Sequence, residues 1–135
     1  HSIEEPRRLT QEELGEKFSF SLSRKIYSVN GVKFVYANEG ETYSSIASRY
    51  DLFPKEILRF NDAGANRALM TGEVVYIQAK KTKAARGMDK YISDEGGETM
   101  RDLSQRFGLK LKNLCKMNGR GEGYVSQPGD EFILR

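Results

Sequence analysis

Several residue types are scarce in this sequence, among them the cysteine and histidine that many catalytic and metal sites use. Its 135 residues include no tryptophan, one cysteine, one histidine and three prolines. Cys115 has no partner for an internal disulfide, and its place in an apolar pattern is typical of a small buried side chain. With His1 as the single histidine, neither a His-based metal site nor a nucleophile–base pair can be assembled. These absences predict a non-catalytic chain without a metal or cofactor.

The sequence also lacks an apolar run long enough to span a bilayer, so we expect no membrane insertion. The formal net charge of +3 invites comparison with nucleic-acid-binding proteins, but the basic excess is confined to residues 79–90. That segment contains Lys80, Lys81, Lys83, Arg86 and Lys90 against Asp89. We interpret it as a solvated basic linker and expect no nucleic-acid partner, because the flanking regions are neutral to acidic. Nucleic-acid binding through the linker remains an alternative.

One short stretch occurs twice, as Gly40-Glu41-Thr42-Tyr43 and as Gly97-Glu98-Thr99-Met100. The two copies are 57 positions apart, and Asn61 with Asn118 and Gly72 with Gly129 keep this offset. From the repeat we predict four regions. These are an N-terminal extension (1–33), a first unit (34–78), the basic linker (79–90) and a second unit (91–135). The constant offset predicts that the two copies align without an insertion or deletion from Phe34 and Tyr91 onward.

Local signals predict a strand, two helices and a strand in each unit. Thr42 and Thr99 are placed as helix N-caps, and Pro54 suits the first position of a second helix. Phe53 and Lys110 precede the second helices and cannot cap them. Asn30-Gly31 predicts a tight hairpin, and Thr10 to Glu13 predicts a short helix near residues 11–18. The expected class is α+β, with a two-stranded antiparallel sheet and two helices on one face of it per unit.

These residues resemble the LysM family twice over. The family pattern is a strand, a Gly-Asp/Glu-Thr turn, a helix, a second helix ending in Leu-x-x-x-Asn, and a closing strand after a glycine. The first copy supplies it between Gly40 and Ile77, and the second between Gly97 and Leu134. The hairpin and basic linker also resemble the C-terminal part of glucosaminidase-type cell-wall hydrolases from Bacteroidetes. Asp51 departs from the pattern, because it stands where Gly108 stands in the second copy and a strained turn is expected there.

The resemblance implies binding of N-acetylglucosamine (GlcNAc)-containing glycans, in a groove between the first turn and the loop before the last strand. The implied glycan-binding residues are Gly40, Glu41, Thr42, Tyr43, Leu69 and Met70 in one unit, and Gly97, Glu98, Thr99, Met100, Tyr124 and Val125 in the other. Tyr43 and Met100 are expected to contribute apolar walls. Glu41 and Glu98 are read as first-turn acids that favour the helix dipole, not as a catalytic pair.

We therefore expect a monomer of the bacterial cell envelope that binds peptidoglycan and anchors an associated catalytic domain to the wall. The alternative is protein–protein docking or a structural spacer with degenerate grooves. The second copy has Arg101, Glu122 and Tyr124 around its groove and is the copy more expected to have lost glycan binding.

Overall fold

The computed structural model describes residues 24–135, so the helix predicted near 11–18 lies outside the described residues. The described part is α+β, with two small antiparallel sheets and four helices. The strands are β1 (Tyr27–Val29), β2 (Val32–Tyr36), β3 (Val74–Tyr76), β4 (Lys90–Ile92) and β5 (Glu131–Ile133). The helices are α1 (Tyr43–Arg49), α2 (Pro54–Phe60), α3 (Met100–Phe107) and α4 (Leu111–Asn118).

β1, which lies in the predicted N-terminal extension, adds a third strand to the sheet of the first unit in the order β1-β2-β3, and α1 and α2 pack on one face of this sheet. The predicted hairpin is confirmed, because Asn30 and Gly31 connect β1 to β2 with φ angles of 55° and 74°. One face of the sheet joins the helices in the main core, and the other carries an aromatic cluster. The core contains Val35, Ala37, Tyr43, Ile46, Ala47, Ile57, Leu69 and Val75.

The second unit pairs β4 with β5 and buries a separate core beneath α3 and α4. Its sheet corrects the predicted alignment of the two copies. Val75 faces Val35 in the first sheet, whereas Phe132, 57 positions after Val75, faces Tyr91, which is only 56 positions after Val35. The second copy therefore has one extra residue between its first strand and its turn, so the expectation of no gap from Phe34 and Tyr91 is wrong.

The helix ends follow the local sequence where it offers suitable groups. The Oγ1 atoms of Thr42 and Thr99 each accept an N–H in the first helical turn, both at 3.0 Å, so both N-cap predictions are confirmed. Pro54 is the first residue of α2, as predicted. Asp51 has a φ of 58°, close to the 68° of Gly108, so an aspartate holds the left-handed conformation that glycine holds in the second unit.

The linker does not lie free in solvent. Lys80 is 3% exposed, and its ammonium group contacts Asp62 Oδ2, Ser104 Oγ and Gln105 Oε1, each at 2.7 Å. Ala84 packs into the second core. Backbone hydrogen bonds join Lys81 to Gly108 and Lys110 at 3.0 and 2.8 Å. The expectation of a solvated linker is therefore wrong for Lys80 and Ala84, and the linker fastens the two units together.

Candidate functional site

In each unit the structure brings the Gly-Glu-Thr turn next to the loop that precedes the last strand. Thr42 forms a β-bridge with Ala68, and the Leu69 N–H donates to the Glu41 carbonyl at 2.9 Å. We call residues 40–43 together with residues 68–70 the first turn pair. In the second unit Thr99 forms a β-bridge with Val125. Residues 97–100 together with residues 125–127 are the second turn pair.

Three of the side chains that the sequence assigned to the groove walls of the two turn pairs are buried. Tyr43 is 1% exposed and Met100 is 0% exposed, so both belong to the cores and the expectation that they form apolar walls is wrong. Leu69 is also buried. The large apolar side chains that the turn pairs expose are Met70, at 75%, and Val125, at 42%. These two side chains are the large apolar groups that a ligand at the turn pairs could contact.

Glu41 and Glu98 fix the turns that precede the helices. Each lies one residue before its N-cap, so the first-turn helix-dipole interpretation is wrong. Glu41 Oε1 accepts the Asn38 N–H at 2.6 Å and pairs with Arg24. The Glu98 carboxylate accepts from Ser93 Oγ at 2.8 Å, from the Tyr91 hydroxyl and from the Arg106 guanidinium. These engaged carboxylates serve the architecture of the turns.

The two turn pairs differ in their backbone hydrogen bonds. In the second, the Gly97 N–H donates to the Ser126 carbonyl at 2.8 Å, and Ser126 also accepts the Glu98 N–H on its hydroxyl at 3.0 Å. In the first, within residues 24–135, neither the Gly40 N–H nor the Leu69 carbonyl has a hydrogen-bond partner. Among residues 24–135 the first turn pair thus has a donor and an acceptor without a partner, whereas the second turn pair bonds to itself.

Sequence reasoning missed Arg67 and Ser126, which the 57-residue offset could have found. Ser126 is the counterpart of Leu69, and Arg67 is the counterpart of Tyr124. Arg67 donates to both carboxylate oxygens of Glu73, at 3.0 and 2.5 Å, and this ion pair lowers the pKa of Glu73 and raises the pKa of Arg67. Tyr124 donates to Asp130 in the same place in the second unit. Because Ser126 is the counterpart of Leu69 and Arg67 is the counterpart of Tyr124, the expected apolar walls Leu69-Met70 and Tyr124-Val125 do not occupy equivalent positions in the two units.

Residues 24–135 contain no cluster of His, Cys, Asp and Glu that could hold a metal ion. In the same range no helix has the length and apolar character needed to cross a membrane.

Residues 38–78 match the LysM domain, a family of non-catalytic modules that bind cell-wall glycans containing GlcNAc. The match covers the first turn pair, both helices of the first unit and β3. No curated protein sequence matches the chain. Among solved structures, the spore cortex-lytic enzyme SleL of Bacillus cereus is similar at 21% identity and a TM-score of 0.32. The similarity covers 77% of this chain and 22% of that enzyme.

Proposed function

We propose that this chain binds the GlcNAc-containing glycan of bacterial peptidoglycan through the first turn pair. We further propose that residues 91–135 form a second LysM module, and that the chain anchors an associated catalytic domain, of the glucosaminidase type, to the wall in the cell envelope. The four regions 1–33, 34–78, 79–90 and 91–135 are the organisation on which this proposal is built. The chain itself contributes binding and no catalysis.

The observation that carries the proposal is the backbone pair of the first turn pair, the Gly40 N–H and the Leu69 carbonyl, which no group within residues 24–135 engages. The acetamido group of GlcNAc has one carbonyl acceptor and one N–H donor. The Gly40 N–H and the Leu69 carbonyl are complementary to these two groups. Gly40 has a φ of 83°, and no atom of the described part of the chain lies within 4 Å of where its Cβ would stand, so these residues leave room for close approach to its backbone. Met70 adds an exposed apolar surface for the acetamido methyl group.

The second module is proposed from the repeated geometry. Both turn pairs form the same β-bridge, and Asn61 and Asn118 make the same contacts between a helix end and a strand. In the second turn pair the Gly97 N–H is bonded to the Ser126 carbonyl. This favours a second candidate function for the second module alone, as a structural or docking partner of the first module. Where both modules engage one wall, a high effective concentration would strengthen individually weak binding.

The test is retention of the chain on insoluble peptidoglycan at low and at high salt. We expect retention at both, because contacts with an uncharged sugar are insensitive to ionic strength. Loss at moderate salt would indicate binding through the basic residues of the linker, and no retention at either salt would contradict the proposal.

The matched variants are Met70→Ala at the first turn pair and Met88→Ala in the linker, where the side chain is 48% exposed. Met70→Ala should weaken binding by about fivefold, which corresponds to roughly 1 kcal/mol of apolar contact. Met88→Ala should leave the affinity unchanged. Val125→Ala tests the second turn pair, and a loss equal to that of Met70→Ala would show that both modules bind.

A further inference from the structure

We infer that Arg67 of the first unit and Arg101 of the second together form a carboxylate-binding pocket beside the first turn pair. The ligand we assign to it is a carboxylate carried by the bound glycan, so the pocket would favour peptidoglycan over uncharged chitin. This inference rests on the proposed function and specifies its substrate.

The pocket lies where the two units meet. Arg101, on α3, reaches across to the first unit and donates to the Asp62 carbonyl at 2.6 Å and to the Tyr43 hydroxyl at 3.3 Å. Arg67 Nη2 lies 3.4 Å from the same hydroxyl. Residues 62–67 and Arg101 line a cavity of about 340 Å³. Two guanidinium groups therefore converge on one neutral oxygen at the side of this cavity.

Among the residues that the structure describes, the charges around the pocket are incompletely balanced. Within residues 24–135, Arg101 contacts only neutral oxygens, whereas Arg67 is paired with Glu73. The Asp62 carboxylate is already engaged by Lys80 at 2.7 Å and by the Leu111 N–H at 3.1 Å. Within residues 24–135, three cationic groups (Arg67, Arg101 and Lys80) thus face two carboxylates (Glu73 and Asp62). The pKa of Lys80 is lowered mainly by burial and, to a smaller extent, by the charge of Arg101, and the pKa of Glu73 is lowered mainly by its hydrogen bond with Arg67 and, to a smaller extent, by Arg101.

A carboxylate is the anion that suits this arrangement. The planar fork of a guanidinium matches the two oxygens of a carboxylate, and the local excess is a single positive charge. Gly64, Ala65 and Asn66 on the cavity loop are exposed, so a ligand has access. The same loop continues directly into Ala68 and Met70 of the first turn pair. A substituent on a sugar bound at the first turn pair would therefore lie next to the pocket.

Chitin is an uncharged polymer of GlcNAc, whereas peptidoglycan has carboxylates on the lactyl ether of its second sugar and on its stem peptides. The experiment therefore compares three soluble ligands by calorimetric titration of the full chain. These are a chito-oligosaccharide, a peptide-free oligomer that carries lactyl carboxylates, and the same oligomer with stem peptides. The two carboxylate-bearing ligands separate the lactyl group from the peptide as the source of the anion.

The variants are Arg101→Gln and Arg67→Gln, with Arg86→Gln as the control that removes an exposed charge from the linker. Arg101→Gln should weaken binding of at least one carboxylate-bearing ligand by about tenfold, the scale of one charge-assisted hydrogen bond, and the loss should shrink as salt is raised. Binding of the chito-oligosaccharide should change by less than twofold. Arg101→Lys should recover part of the affinity, and Arg86→Gln should match the unmodified chain.

Equal weakening of all three ligands by Arg101→Gln would overturn the inference, because Arg101 would then only position the loop. The inference also fails if Arg101→Gln and Arg67→Gln leave every affinity unchanged while the chito-oligosaccharide binds, and in that case the proposed function survives. If the unmodified chain binds none of the three ligands, both fail.

Discussion

Lys80 shows how one residue can connect two units that the sequence separates. Its ammonium group is buried at the junction and contacts Asp62 of the first unit and Ser104 and Gln105 of the second. Burial lowers its pKa, and the nearby Asp62 carboxylate opposes that effect. A buried ammonium group is retained in such a place only where its hydrogen-bond partners are supplied. The side chain of Lys80 is therefore part of the interface between the units, whereas exposed Lys83 meets the first unit through its backbone carbonyl, which accepts from the Asn30 amide at 3.2 Å.

Replacing Lys80 with methionine should destabilise the chain by about 2 kcal/mol, because Asp62 keeps its charge but loses its main partner. Asp62 is 27% exposed and can be partly hydrated, so the cost stays below that of a fully buried pair. Urea denaturation followed by circular dichroism measures this difference.

Lys83→Met is the matched control and should change the free energy of unfolding by less than about 0.5 kcal/mol. The double variant Lys80→Met/Asp62→Asn should recover part of the loss. A result in which Lys80→Met and Lys83→Met behave alike would show that the buried contacts contribute nothing.

At the scale of elements, each second helix is joined to the closing strand by an asparagine. Asn61, fully buried after α2, accepts the Tyr76 N–H at 2.7 Å and donates to the carbonyls of Tyr76 and Ile57 at 3.0 and 2.8 Å. Asn118 makes the equivalent bonds to Ile133 and Leu114. In both units the asparagine side-chain amide thus bonds the N–H and the carbonyl of one strand residue, as the backbone of a neighbouring strand would. Each asparagine therefore connects the end of a helix to the closing strand.

Asn61→Ala should cost roughly 3 kcal/mol, because it leaves the Tyr76 backbone groups without partners in a buried position. Asn118→Ala should cost less, since the Ile133 side of the contact is solvent-exposed and water can replace the amide. Thermal and urea unfolding of both variants checks the order. An equal cost for the two would contradict the dependence on burial.

For the whole molecule, the contacts between the units form one continuous network. The Tyr76 hydroxyl donates to the Gln105 carbonyl, and the Gln105 amide donates to Asn61 and to the Val74 carbonyl. Gly108 approaches the end of β1 so closely that a Cβ would lie 3.1 Å from the Val29 carbonyl. The ion pair between the buried Lys80 and the partly exposed Asp62 belongs to the same interface.

We therefore expect residues 24–135 to unfold in a single cooperative transition, with equal calorimetric and van't Hoff enthalpies. Replacing both Lys80 with methionine and Gln105 with alanine should separate the unfolding of the two units into resolvable steps. Differential scanning calorimetry of the full chain makes the comparison. Two transitions in the unmodified chain would show that the interface is too weak to couple the units.

Much of each unit was predictable because its signals are local. The caps Thr42 and Thr99, the start of α2 at Pro54 and the Asn30-Gly31 hairpin depend on neighbouring residues along the chain, and all are confirmed. The extra residue of the second copy was missed, because its turn keeps the Gly-Glu-Thr letters and only strand pairing shows where the addition lies. The burial of Tyr43 and Met100 was likewise misjudged, since a helical stripe does not distinguish a core from a groove wall.

The sequence by itself determined the local features, which are the Thr42 and Thr99 caps, the start of α2 at Pro54 and the Asn30-Gly31 hairpin, because each depends on residues adjacent in the chain. Tertiary structure decided how the units are joined. Lys110 cannot cap α4, and the missing acceptor comes from Asp62 of the first unit, which receives the Leu111 N–H. Arg101 likewise leaves its own unit to contact Tyr43 and Asp62. Such contacts join residues about 40 to 60 positions apart, and no local propensity or periodicity records a partner at that distance.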